Sequence, residues 1–234
     1  MATSKAKSSF LIFFALSSFF SCLVQPTGIL LGVEAYKISF SSLHNKRILV
    51  VGGSGRVGGS VVTQLTQRGA VVTVGGTNVQ SFEKSRARWI KLFPNKVNEL
   101  SQVRFVQLDR EKADTLRKNN FNFDLVVHTA GPFQGKVNAP NGVLEACVTE
   151  SVPYIDVCDD YCTASMAKTK FSQLAIDNKV PCIVSTGCWP GVSSLMAKQL
   201  TRKVIQEKSE LKPEDLTVEF GFFTSGYGRL SCLE

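Results

Sequence analysis

The sequence predicts an α/β protein built on a doubly wound parallel sheet, and three observations predict it. Short apolar runs rich in β-branched residues alternate with helical segments from residue 47 onward. The first run, Arg47-Ile48-Leu49-Val50-Val51, ends directly in Gly52-Gly53-Ser54-Gly55-Arg56-Val57-Gly58-Gly59. Strict strand–helix alternation also gives right-handed βαβ units, whose strands lie parallel with helices on both faces.

Each element follows from local chemistry. Arg47–Val51 reads as a buried strand, and Val57 to Arg68 as a helix stopped by Gly69. Val71 to Val74 is a second strand closed by Gly75-Gly76. A helix from about Gln80 to Leu92 ends at Phe93-Pro94. Val103 to Leu108 and Asp124 to His128 are the third and fourth strands. A helix from about Val143 to Glu150 leads into the fifth, Val152 to Asp156. A helix over about Ala164 to Asn178 precedes the sixth, Val180 to Ser185, and another runs from about Val192 to Gln206. Leu216 to Phe222 alternates like a half-buried strand and should open a second sheet, which has no partner strand before the chain stops. The expected organisation is a leader over 1–44, a dinucleotide-binding domain over 45–191, and the start of a truncated second α/β domain, for substrate and dimerisation, over 192–234.

Hydrophobic residues at 44% and charged residues at 20% describe a globular chain with a core. The net charge of +8 is concentrated in residues 47–110, with ten Lys or Arg against three acids. No zinc-finger, RNP or basic-zipper pattern accompanies it, so nucleic acid is not an expected partner. The seven cysteines have no framework spacing and no metal-ligand set, and read as reduced core thiols.

The first forty-odd residues read as an address. Lys5 and Lys7 precede an apolar run from Phe10 to Val24, followed by the small-residue pattern Val33-Glu34-Ala35. The run is short for a membrane span. A plastid-targeting segment and a secretory signal both fit, and a retained anchor, which would bring the chain to a membrane, is the third reading.

Gly53, Gly55 and Gly58 form GxGxxG between a strand and a helix, the context that gives this pattern meaning. The first glycine is expected to allow the tight turn, the second the approach of a pyrophosphate, and the third close packing of helix on strand. The helix start then offers free N–H groups to the phosphates. These features predict a Rossmann-type dinucleotide site. Gly53, Ser54, Gly55, Arg56, Val57 and Gly58 form its loop, and Thr77 and Asn78 lie at the second strand's tip. That tip, Gly75-Gly76-Thr77-Asn78, lacks the acid that holds an NAD ribose. With Arg56 in the loop, NADP(H) is favoured and NAD(H) is the alternative. Lys84 and Arg88 read as a solvated helix face.

The chain resembles the saccharopine dehydrogenase-like family, particularly its plant and algal members. The resemblance covers about residues 46–228. It rests on the glycine loop, on His128-Thr129-Ala130-Gly131-Pro132-Phe133, on Tyr154-Ile155-Asp156-Val157-Cys158-Asp159-Asp160, and on Gly187-Cys188-Trp189-Pro190-Gly191-Val192-Ser193. Relatives often carry Arg where this chain has Thr77. The resemblance implies a nicotinamide-dependent oxidoreductase acting on a carbon–nitrogen bond of an amino-acid-like substrate, with a homodimer as a candidate full-length assembly.

Ligands of open α/β sheets lie beyond the carboxyl ends of the strands. Ala130, Gly131 and Pro132 should therefore border the nicotinamide, and Asp109, past the third strand, joins the cofactor side. His128, Asp159 and Asp160 are the catalytic candidates, while Ser193 stands where a helix start receives an anion. A structural histidine and ordinary N-cap acids are the plainer readings of His128 and of the Asp pair. The rival function is a non-catalytic nucleotide-binding scaffold or sensor.

Overall fold

The chain builds β1 (Ser9–Ser17), β2 (Arg47–Val51), α1 (Arg56–Gln67), β3 (Val71–Gly76), α2 (Val79–Leu92), α3 (Val97–Ser101) and β4 (Arg104–Gln107). It continues with β5 (Leu125–His128), α4 (Gly142–Thr149), β6 (Tyr154–Asp156), α5 (Tyr161–Asp177), β7 (Cys182–Ile183), α6 (Ser193–Glu207) and β8 (Thr217–Ser225). This computed structural model describes residues 9–17, 43–112, 114, 116, 122–134 and 141–225.

Six strands form one sheet in the order β4-β3-β2-β5-β6-β7, every pair parallel. The chain winds outward from β2 to β4, then returns to start again at β5. A crevice therefore opens beyond the carboxyl ends of β2 and β5, where the winding reverses. Val51 stands beside Gly75 on one side and His128 on the other, so three loops emerge together at this edge.

The two-residue period of β2 divides the core. Ile48 and Val50 join Val62, Val72, Val74, Phe82, Trp89 and Leu100 on the face covered by α1, α2 and α3. Leu49 and Val51 join Val126, Val143, Leu144, Cys147, Tyr154 and Phe171 on the face covered by α4 and α5. All four β2 side chains are essentially sealed from water. Each contributes about 1.5–3 kcal/mol on burial, which fixes the strand whose end carries the glycine loop.

The structure adjusts several expected boundaries. β7 is shorter than its apolar run, because Pro181 has no N–H to donate and Ser185 turns left-handed at φ 63°. α5 starts three residues early because Asp160 caps it. α3 was not expected: five residues are too few to display a period. Cys147 and Cys158 are buried, but Cys162 and Cys188 are exposed, so the expectation of core thiols is corrected for those two.

The chain divides into two compact units, Ser39–Ser194 and a second formed by Met1–Ile38 with Leu195–Glu234. In the second, β1 pairs in parallel with β8, Ser9 opposite Thr217 through Ser17 opposite Ser225. One expectation is corrected here: the strand near residue 217 has a partner, and that partner is residues 9–17. A lone apolar strand leaves its ladder unpaired, and a second apolar run satisfies it. The remainder of the leader, including Val33-Glu34-Ala35, lies outside the described residues.

Candidate functional site

The glycine loop follows β2 without a break. Gly52 has φ +79°, and a Cβ there would fall 2.7 Å from the Cα and N of Ala130. The turn glycine is thus Gly52, which corrects the assignment of that duty to Gly53. Gly53 serves packing, since its Cβ would lie 2.8 Å from a methyl of Val74. Gly58 is tighter still, with Gly52 O at 2.3 Å and Thr129 Oγ1 at 2.5 Å from the built Cβ.

Gly55 differs from these three. Its backbone is extended (φ −78°, ψ 178°), and a Cβ would meet only Gly52 O, at 3.2 Å. A Cβ there would press on that one oxygen and meet nothing else of the protein within 4 Å, so packing demands glycine far less than at the other three. Gly55 is also the N-cap of α1, with no side-chain cap bond and no acid in the first turn. The helix start therefore presents uncapped N–H groups and the positive end of its dipole beside an open Cα. Arg56 and Val57 are exposed in this first turn.

Beside the loop lies a cleft of about 380 Å³. Gly52, Ser54, Thr77, Asn78, Asp109, Ala130 and Gly131 line it, with Ser81, Arg110 and Glu111. Six of the twelve residues expected on the cofactor side (Ser54, Thr77, Asn78, Asp109, Ala130 and Gly131) thus meet in one cleft. Of the others, Gly53 and Gly58 are buried behind it, Gly55, Arg56 and Val57 form the exposed helix start, and Pro132 follows a cis peptide at an exposed position. Arg56 does not line the cleft; Arg110 is the Lys or Arg that does. The sequence signal for Arg110 was its position, one residue past Asp109 at a strand's carboxyl end. The Asn78 side chain accepts a bond from Ser81 N at 3.0 Å and caps α2, leaving its amide N–H groups to donate. Asp109 accepts from Glu111 N at 3.1 Å, with Lys112 Nζ 3.8 Å away.

His128 lies beneath the cleft rather than in it. It is 4% exposed, and its Nδ1 stands 3.0 Å from the Tyr154 hydroxyl. That hydroxyl donates its one hydrogen to Asp156 Oδ2 at 2.8 Å and accepts from Asn141 Nδ2 at 3.2 Å. Nδ1 must then carry the ring proton, which leaves Nε2 as a bare, buried acceptor with no partner among the described residues. Burial and then the Arg110 charge push the His128 pKa down to about 3, against a weaker opposing pull from the Ala130 carbonyl. Asp156 in turn accepts from Cys158 N at 3.0 Å and Ser185 N at 2.7 Å, tying together the loops after β6 and β7. Burial raises its pKa, with the N–H groups of Ser185 and Cys158 opposing.

Comparison with known families places this geometry. Residues 48–215 match the model of the saccharopine dehydrogenase NADP binding domain. The chain belongs to this family. The match covers the six-stranded sheet apart from Arg47, so the domain just described is an NADP-binding domain. Solved structures with a similar fold include Pen from Bacillus thuringiensis (17% identity, TM-score 0.45, covering 61% of this chain and 51% of that one). Vestitone reductase from alfalfa matches at 16% identity and TM-score 0.43, covering 59% and 55%. An alcohol dehydrogenase from Thermococcus sibiricus, complexed with 5-hydroxy-NADP, matches at 17% and 0.44, covering 60% and 75%. The matched region spans about half the length of the first of these.

The remaining candidates of this family member sit at the other end of the rim. Asp160 is the N-cap of α5, accepting from Thr163 N at 2.7 Å, and this bond holds its carboxyl below the usual range. Ser193 is buried with its hydroxyl on Pro190 O at 3.1 Å, so it does not offer that hydroxyl to an anion. Asp159 is exposed and lines a separate pocket of about 520 Å³ with Tyr161, Ser165, Lys168, Ser185 and Trp189.

Proposed function

We infer that this chain is the NADP(H)-binding part of an oxidoreductase that transfers hydride at a carbon–nitrogen bond of an amino-acid-like substrate. Gly55 carries the reading: it is open toward solvent, set on an uncapped helix start, and far less demanded by packing than the other loop glycines. A pyrophosphate needs that opening and those N–H groups. When bound, the dinucleotide supplies the hydride, and the protein's part is binding, orientation and exclusion of water.

The acid-free tip of β3 supports NADP(H) over NAD(H). Substituting Thr77→Asp puts a carboxylate where a 2′-phosphate would stand and where a ribose 2′-OH would be held. NADPH affinity is expected to fall at least about tenfold and NADH affinity to hold or rise. Parallel titrations of the full chain and the variant, read by intrinsic fluorescence, check this; an equal response of the two cofactors would remove the 2′-phosphate from the reading.

On the substrate side, Asp159 and Lys168 line one pocket, and neither makes a hydrogen bond or ion pair among the described residues. An unpaired acid and base in one pocket suit a substrate bearing both ammonium and carboxylate. The Ser-rich, acid-poor leader supports import into a plastid, and the resemblance supports a homodimer as the full-length form. One observation favours a non-catalytic nucleotide-binding module instead. Of the three acid–base candidates, His128 is buried and Asp160 is spent on a cap, which leaves Asp159 alone.

A further inference from the structure

We propose that Arg110 forms the stacking wall for the adenine ring of the dinucleotide, an inference that rests on the cofactor reading above. Arg110 follows β4, on the same side of the cleft as Thr77 and Asn78 at the end of β3, where the adenosine half lies. Its side chain is 21% exposed and reaches across the cleft to donate from Nη1 to the Ala130 carbonyl beyond β5. Nη2 lies 3.5 Å from Glu111 Oε1.

These two contacts engage both terminal nitrogens of the guanidinium and hold its plane in place. Phosphate recognition uses the edge of the fork, whereas a planar heteroaromatic ring uses its face. With the Nη1/Nη2 fork held by a carbonyl and a carboxylate, a flat ring is received on the face of the guanidinium. The neighbouring Glu111 also offsets the charge that would attract a phosphate. Gly75, Gly76 and Gly131 also line the cleft, and without side chains they leave width for a flat ring.

Adenine is common to NADPH, NADH and 2′,5′-ADP, so the three ligands separate base stacking from phosphate reading. Arg110→Lys keeps the charge and loses the plane, and Arg110→Ala loses both. Each ligand is titrated against the full chain and both variants, with circular dichroism melts confirming the folded state. Both variants are expected to weaken all three ligands by the same factor, about tenfold, with no rescue by lysine. Loss confined to NADPH and 2′,5′-ADP, with Arg110→Lys restoring affinity, would overturn the proposal and make Arg110 a phosphate ligand. Unchanged affinity for all three would make it a tie between loops only. If the unsubstituted chain bound none of the ligands, the cofactor reading itself would fall, which is distinguishable because the variants then play no part.

Discussion

Replacing Gly58 with alanine is expected to lower the melting temperature by about 5–10 °C and to remove NADPH binding with it. The built Cβ falls 2.3 Å from Gly52 O, 2.5 Å from Thr129 Oγ1 and 2.7 Å from Gly53 Cα. Two of these three atoms are backbone and cannot swing aside. Gly52 is itself pinned by its N–H on Gly75 O at 2.8 Å, and Thr129 by its hydroxyl on Val51 O at 2.8 Å. Relief therefore means pushing α1 away from β2. Overpacking of this kind costs about 1–3 kcal/mol, equivalent to several degrees for a domain of this size. The same displacement moves the helix start off its position beside the cleft, so stability and binding fall together. Thermal melts with and without NADPH read both effects. A variant that melts within a degree of the unsubstituted chain and still binds would show that α1 does not sit this close.

Acidification is expected to destabilise the chain well above the pH at which its surface carboxylates titrate. His128 has its pKa depressed from the ordinary 6.5 to about 3 by burial and by Arg110. The unfolded chain therefore binds a proton at this residue that the folded chain refuses. Stability supplied by the neutral ring is fully present above pH 6.5 and is lost as pH falls from there toward 3. The slope approaches about 1.4 kcal/mol per pH unit, so the loss between neutrality and pH 5 is about 2 kcal/mol. Asp156 acts in the opposite sense: its raised pKa makes protonation favour the folded state as pH falls. The difference between the unsubstituted chain and His128→Gln isolates the histidine contribution. Urea unfolding at pH 7.5, 6 and 5 should show a steeper decline for the histidine-bearing chain. Parallel curves would mean that His128 reaches solvent or a partner on protonation. A ring that stays neutral to about pH 3 is also a poor proton acceptor at neutrality, in keeping with its place below the cleft.

The six strands of the sheet and their parallel sense were legible because parallel central strands are continuous apolar runs and strand–helix alternation implies crossover connections. Boundaries failed where one residue overrode the run, as with Pro181 and Ser185 in β7 and Asp160 ahead of α5. The glycine loop was legible as a motif, yet the division of labour within it was not. Spacing could not show that Gly52 carries the positive φ, because GxGxxG begins at Gly53. Arg56 drew attention through its place in the loop, whereas the cation in the cleft is Arg110, delivered by a loop some fifty residues on. Only the folding of the sheet, which opens the loops after β4 and β5 onto one cleft, brings it there. His128 was read from its place at a strand end, and a strand end says nothing of which way a side chain is sealed. The pairing of β1 with β8 joins residues about two hundred apart, with no local pattern to announce it.

A titration of the full chain and of Gly55→Val with NADPH, followed by thermal melting, tests the nucleotide site with least ambiguity. The extended backbone at Gly55 suits a β-branched residue, and its Cβ meets only Gly52 O, at 3.2 Å, so the variant should stay folded and melt within about 4 °C of the unsubstituted chain. Its side chain would stand where the pyrophosphate must approach. The unsubstituted chain is expected to show saturable stabilisation by NADPH and the variant none. A variant that binds NADPH as well as the unsubstituted chain, or a folded unsubstituted chain that does not respond, would contradict a cofactor seated on this loop.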